Sequence, residues 1–331
     1  MPEGHTVHRL ARTFTSLFVG EVITVTSPQG RFAHGAALLD GLVLVQAEAF
    51  GKQMFLGFGE STHVGQEDLL WLRVHLGLYG SWTFTGDGTV RVAHAIGAPR
   101  KRIGERELVM SDGTQETFVT EVNDAWEPPE PRGQVRARFI GEHAVADLTG
   151  PTACEVLTWD ETRIAAGKLG PDPIRPDADA EKFISKVAKS RTAIGALLMN
   201  QAVIAGVGNI YRAEVLFRHN VSPFMPGSSV PRETVRAMWD DLVVLMEYGV
   251  TYGAIVTTEP EDRLKGVDLS GVMENRAITR QNTDDEPGAV PREQSFYVYH
   301  RQGQPCRICG EPISLGEMQA RKLYWCPRCQ K

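Results

Sequence analysis

No apolar run in this 331-residue chain approaches the roughly 20 residues of a membrane span, so a transmembrane helix is excluded. Cysteine is scarce, at five in all. That is too few for the disulfide framework of a secreted scaffold. No secretory leader is evident, and we expect a reducing compartment, the cytoplasm. No internal repeat is evident either. An excess of positive charge is also missing: the formal net charge is −6, which at first argues against a nucleic-acid partner.

The distribution of charge changes that inference. Residues 104–131 hold eight acids and one base, and residues 257–294 hold nine acids and five bases. By contrast, residues 182–219 hold six bases and one acid, and residues 296–331 hold six bases and two acids. The acidity sits in stretches that look like insertions, while two structured segments are locally basic. Such basic segments fit phosphate binding, or a solvated face.

The most specific feature lies at the end of the chain. Cys306/Cys309 and Cys326/Cys329 form two C-x-x-C pairs with sixteen residues between them. Two turns that each offer a pair of thiolates suit one tetrahedral zinc ion. The apolar-polar run Ile313–Trp325, broken at Gly316, reads as a β-hairpin between them. The metal would replace the core that so short a unit cannot build. Two disulfides or a chance cluster are the competing readings; we expect one structural zinc. The fifth cysteine, Cys154, reads as a small buried hydrophobe.

Hydrophobic periodicity organises the rest. Val7, Leu10, Ala11, Phe14, Leu17 and Phe18 share one helical face, stopped by Gly20. Short segments follow at 21–26, 42–50, 54–58, 69–76, 81–85, 89–93 and 135–140. Gly and Pro separate them, which favours an antiparallel β-sandwich. The stretch 116–132 reads as a disordered or mobile loop. After a rigid linker at Leu169–Ile174, helices are expected at 180–189, 193–201, 209–219 and 231–248, with Pro231 as the first residue of the last. The expected organisation is α+β: a helix-led β-sandwich at 1–150, a linker and helical domain at 151–256, an acidic loop at 257–295, and a zinc hairpin at 296–331.

Two places invite chemistry. In Val203-Ile-Ala-Gly-Val-Gly-Asn-Ile210 a glycine-rich turn precedes Asn209 at a helix start, within a basic segment. Free amides at a helix start favour an anion such as phosphate; a plain helix–helix turn is the alternative. At the beginning stands Met1-Pro2-Glu3-Gly4. Methionine before a small residue is normally removed, leaving Pro2 with a secondary amine. An α-amine titrates near pH ~8, so much of it is uncharged and nucleophilic at neutral pH. Glu3 is placed to move protons for it. A frayed terminus is the alternative.

These segments resemble a known family. MPEGHTVHRLA at the start, AFGKQMFL (49–56), HLGLYGSW (75–82), LGPDPI, IAGVGNIYRAEVLF (204–217) and PCRICG…ARKLYWCPRCQK follow, in order, motifs of the formamidopyrimidine-DNA glycosylase/endonuclease VIII family, and the chain looks nearest its actinobacterial endonuclease VIII branch. The resemblance spans almost the whole chain and fails only in the two acidic stretches. It implies a helix–two-turn–helix domain around Asn209 and a bifunctional glycosylase and AP lyase acting on damaged duplex DNA. A non-catalytic damage-binding protein of the same fold is the alternative.

The roles that follow come from that resemblance. Pro2 attacks C1′ and forms an imine, and Glu3 protonates the sugar and shuttles protons through β,δ-elimination. Lys52 binds phosphate and assists. Asn209 and Arg321 grip a phosphate, and His75 contacts another. Leu78 and Tyr79 fill the gap left by the extruded nucleotide. Oxidised pyrimidines are the expected substrates, and a monomer, nucleoid-associated when on DNA, is the expected form. Two positions depart from the family pattern: Thr6 replaces a second acid, and Gly77 replaces a glutamine at the start of the wedge.

Overall fold

The computed structural model describes residues 2–90, 95–97, 126–265 and 290–331. They divide into two compact units: Pro2 with Thr6–Ala166, and Glu3–His5 with Gly167–Lys331. The first unit therefore runs past the boundary expected at residue 150. What carries it on is strand β9 (Ala153–Leu157), which pairs antiparallel with β4 (Leu70–His75), from Trp71↔Leu157 to His75↔Ala153.

Helix α1 (Gly4–Phe18) forms where the periodicity puts it, and Val7, Leu10, Ala11, Phe14, Leu17 and Phe18 are all buried. Each of the larger side chains contributes on the order of 2 kcal/mol by its burial, and Ala11 less. The Phe14 ring meets those of Phe18, Trp82, Phe84 and Phe139. Around this centre lie β1 (Val22–Thr26), β2 (Leu42–Phe50), β3 (Gln53–Gly59), β4, β5 (Ser81–Gly86), β6 (Ala95–Gly97), β7 (Val135–Ile140), β8 (Ala144–Thr149) and β9, in the order β6-β5-β8-β7-β1-β2-β3-β4-β9. Strand β1 joins the two halves: Val22 and Ile23 pair with β2, while Thr24, Val25 and Thr26 pair with β7. Leu56 and Leu72 from one half meet Trp82, Phe139 and Leu148 from the other in one core. The helix-led antiparallel sandwich is thus as expected.

Several elements were not anticipated: α2 (Ala33–Leu39), β8, β9 and α3 (Trp159–Gly167). The strand expected at 89–93 falls partly outside the described residues, and the described strand there is β6. Of the acidic stretch 116–132, only 126–132 are described.

In the second unit, α4 (Ala180–Ala188) is capped by Asp179, which accepts from the Glu181 amide at 2.9 Å. Helix α5 (Ile194–Leu197) is shorter than expected. The Asn200 side chain accepts from Ala202 N at 3.0 Å, and Gln201 reaches forward, accepting from Gly206 N and donating to Val207 O, each at 3.0 Å. These local side-chain bonds compete with continued helix. Helices α6 (Asn209–Arg218) and α7 (Arg232–Tyr252) follow. Pro231 caps α7 from outside instead of opening it, because its ψ of 139° is extended. Phe183, Tyr211, Trp239 and Leu242 share the core of this unit.

The expected acidic loop at 257–295 is, at both described ends, tied down: Thr257 N donates to Ser295 O at 2.9 Å and Thr258 Oγ1 to Gln294 O at 2.6 Å. Residues 266–289 lie outside the described set. The hairpin β10 (Ser314–Met318) and β11 (Arg321–Trp325) turns at Gln319-Ala320, both left-handed at φ 52° and 55°, and not at Gly316. Gly316 sits inside β10, where a Cβ would come within 3.1 Å of the Trp325 ring.

Candidate nucleic-acid interface and metal centre

Glu3 is 1 % exposed, and its carboxylate closes the start of α6. Oε2 accepts from Gly208 N at 2.9 Å and from Tyr211 N at 3.4 Å, and Oε1 accepts from Ile210 N at 2.8 Å. A carboxylate is acceptor-only on both oxygens and complements the positive end of the helix dipole. Gly208 permits the approach, since a Cβ there would lie 2.4 Å from Glu3 Cδ. Gly4 N donates to Gly206 O at 2.8 Å and fastens the neighbouring backbone. The sequence assigned these first-turn amides to an outside anion; the chain supplies that anion itself.

Asn209 is the first residue of α6 and not its cap, which is Gly208. Its side chain points to the hairpin instead, where Nδ2 donates to Lys322 O at 3.0 Å. Lys322 follows Arg321, the exposed first residue of β11. Glu3, Asn209 and the hairpin bearing Arg321 are thereby brought together on α6.

The remaining expected residues lie in the first unit. Pro2 is buried, and with Met1 attached its nitrogen is an amide. Lys52 occupies the two-residue turn between β2 and β3, where Phe50 pairs with Gln53. His75 ends β4 directly across from Gln53. Burial, then the charges of Lys52 and Arg73, lower the His75 pKa from 6.5, so its imidazole is neutral at pH 7. Leu78 is half-buried and Tyr79 is 56 % exposed on the turn after β4. Gly77 has φ 65°, and a Cβ there would fall 1.8 Å from Thr152 Oγ1. A glutamine at 77 would be strained by this left-handed backbone and would have to displace the Thr152 hydroxyl.

The four cysteines converge as expected. Their Sγ atoms lie within 4.8 Å of one another, with Cys306–Cys329 at 4.0 Å and Cys309–Cys326 at 3.4 Å. These separations exceed the ~2.05 Å of a disulfide. They surround the ~3.8 Å expected between sulfurs of a tetrahedron with Zn–S of ~2.3 Å. Cys306 and Cys326 are buried with Phe217, Tyr297 and Tyr324. One structural zinc fits this set, and four thiolates leave no open position for chemistry. Cys154 is half-buried beside the first core, and burial pushes its thiol up to about 12.

Three residues escaped the sequence reading. Arg212 lies beneath Asn209. Glu214 is fully buried and accepts from Tyr297 N, Val298 N and Tyr299 N at 2.8–2.9 Å, joining α6 to the segment before the zinc unit. Arg307, between two metal ligands, donates to Phe296 O at 2.9 Å, Lys265 O at 2.8 Å and Glu293 O at 2.5 Å. For Arg212, the spacing of three from Asn209 on one helix was a usable signal. Arg307 had none, because its acceptors are backbone carbonyls distant in sequence.

Comparison with known proteins agrees with this layout. Residues 1–128 match the formamidopyrimidine-DNA glycosylase N-terminal domain, residues 169–261 its H2TH domain, and residues 303–331 the zinc finger found in FPG and IleRS. Endonuclease 8 1 of Mycobacterium tuberculosis (strain ATCC 25618 / H37Rv) is 39 % identical over 332 residues, covering 100 % of both chains. The formamidopyrimidine-DNA glycosylase of Geobacillus kaustophilus is 29 % identical over 247 residues, 73 % of this chain and 82 % of that one. Wild-type Lactococcus lactis Fpg, solved in complex with N7-benzyl-Fapy-dG containing DNA, shares the fold at a TM-score of 0.66 and 18 % identity, with 100 % of each chain covered. Similarity of this degree along the whole chain, with the three domains in order, places it in the formamidopyrimidine-DNA glycosylase/endonuclease VIII family.

Proposed function

We propose that this chain is a DNA glycosylase and AP lyase of base-excision repair that removes an oxidised base and then cuts the strand. The observation that carries the reading is Glu3. The side chain next to Pro2 is held by three backbone amides at the start of α6, the helix whose Asn209 reaches the Arg321 hairpin. A frayed terminus would have no such anchorage.

Once Met1 is removed, the Pro2 amine attacks C1′ of the damaged nucleotide. The N-glycosidic bond breaks and its electron pair leaves with the base. Loss of the amine proton and opening of the sugar, with the ring oxygen taking up a proton, give an iminium ion between Pro2 and C1′. Glu3 carries protons to the ring oxygen and between later intermediates. Elimination then expels the 3′ and the 5′ phosphate in turn. Lys52 and the neutral His75 bind phosphate in the first unit, and Asn209 and Arg321 do so in the second. Tyr79, with Leu78, stacks into the gap left by the extruded nucleotide. Zinc holds the two cysteine turns and takes no part in the reaction.

Oxidised pyrimidines are the substrates this reading favours, because a relative covering the whole chain is an endonuclease 8. The enzyme acts as a monomer in the cytoplasm. Among the described residues no helix is long and apolar enough to cross a membrane. Borohydride reduction during incubation with abasic duplex DNA tests the chemistry: a covalent adduct at Pro2 is expected. Its absence, with DNA still bound, would favour a non-catalytic damage binder.

A further inference from the structure

Arg212, on α6, is completely buried. It makes no ion pair among the described residues, and its Nε and Nη1 find no hydrogen-bond partner there. Nη2 alone is engaged: it donates to Asn209 Oδ1 and, at 3.0 Å, to Lys322 O. The same Lys322 carbonyl accepts from Asn209 Nδ2 at 3.0 Å. One peptide oxygen beside Arg321 is thus the common anchor of two α6 side chains.

A guanidinium has donors only. The Asn209 amide must therefore turn its oxygen toward Arg212, which places its nitrogen on Lys322 O, with the Tyr299 hydroxyl as its second acceptor. The N–H shared with the neutral Tyr299 hydroxyl is the one an arriving phosphate can take over, since a charged acceptor binds a donor more strongly. A buried cation without a carboxylate partner is also costly unless an anion arrives. Burial lowers the Arg212 pKa to about 10, opposed by Glu3 and Tyr299 and reinforced by Arg321, so the group stays charged at neutral pH.

We propose that Arg212 is the positioning residue of the phosphate grip: it selects the orientation of the Asn209 amide and locks the first turn of α6 to Lys322, so that Asn209 and Arg321 meet one DNA phosphate as a unit. This rests on the DNA-repair reading above. The role is distinct from a plain stitch between helix and hairpin, which a neutral donor could supply and which would leave the salt dependence of binding untouched.

The test uses full-length, zinc-loaded protein and a duplex carrying a tetrahydrofuran abasic analogue, with Kd measured across a salt series. Zinc content and melting temperature are followed in parallel. Arg212→Met is expected to bind about tenfold more weakly, with the salt slope reduced by about one. Arg212→Met combined with Asn209→Ala should bind no more weakly than Asn209→Ala alone, because residues acting through one contact are not additive. Arg212→Lys keeps a donor-only cation, but its shorter side chain lacks the planar fork and stops short of the place Nη2 holds, and about a threefold loss is expected.

Wild-type affinity and slope in Arg212→Met, or full additivity with Asn209→Ala, would overturn the proposal. If Arg212→Met releases zinc, Arg212→Lys decides: wild-type affinity, or zinc loss in that variant as well, overturns it. Failure of the unmodified protein to bind the abasic duplex would sink the repair reading itself, a separate outcome.

Discussion

Replacing Glu3 with glutamine changes one oxygen into an NH₂ group at nearly constant volume. The glutamine oxygen satisfies Gly208 N and Tyr211 N if it takes the place of Oε2, and the NH₂ group then faces Ile210 N–H, donor against donor. The alternative rotamer leaves two amides unsatisfied. Losing a charge-assisted bond costs about 1.5–3 kcal/mol, and a buried orphan amide about 1–3 kcal/mol. The lost helix-dipole interaction adds up to ~2 kcal/mol. Because these costs overlap, a destabilisation of about 3–5 kcal/mol is expected, and at roughly 2–4 °C per kcal/mol for a unit of this size Tm falls by about 6–20 °C. Differential scanning calorimetry of the zinc-loaded protein reads this directly. Glu233→Gln, an exposed acid in the first turn of α7, serves as control and should shift stability by no more than ~0.5 kcal/mol. If Glu3→Gln melts with wild type, the carboxylate is not what holds the start of α6.

Cys326→Ser should lose zinc and unfold the hairpin, because metal binding supplies folding energy of order ~10 kcal/mol; full metal content by atomic absorption would refute this. Tyr79 is largely exposed, so Tyr79→Ala should leave stability within ~0.5 kcal/mol of wild type while slowing excision from duplex DNA. An equal loss on single-stranded substrate would remove the case for a wedge. The His75 pKa lies below 6.5 in the free protein, by burial and then by Lys52 and Arg73. A bound phosphate raises it, so binding takes up a proton, and affinity should rise as pH falls from about 7 until the free-state value is passed. His75→Gln should flatten that rise; a wild-type affinity already independent of pH would argue against the contact.

Much of this protein was legible before any coordinates. The zinc ligands were, because C-x-x-C spacing is a local requirement of tetrahedral thiolate coordination. The apolar face of α1 and the bounds of β2 and β7 were also legible, since each follows from side-chain periodicity within a few residues. The sequence expectations that failed share a cause. After α5, Asn200 and Gln201 bond backbone groups two to six residues further on, and the hairpin turns at the left-handed Gln319-Ala320 while Gly316 lies in β10 against the Trp325 ring: each depends on contacts beyond the local pattern.

The tertiary structure alone decided which distant groups meet. The Glu3 carboxylate lies 205 residues from the amide of Gly208 that it binds, and no pattern at either end announces the pair. The anchoring of Asn209 and Arg212 to Lys322 O, and the hold of Arg307 on both sides of residues 266–289, likewise use backbone carbonyls, which every residue possesses and which therefore leave no trace in composition. Chain order determined the chemistry on offer: Pro2 and the acid beside it, the four thiolates and the basic segments. Folding determined which of those groups a helix start holds still, because a hydrogen bond is set by position in space and not by position in sequence.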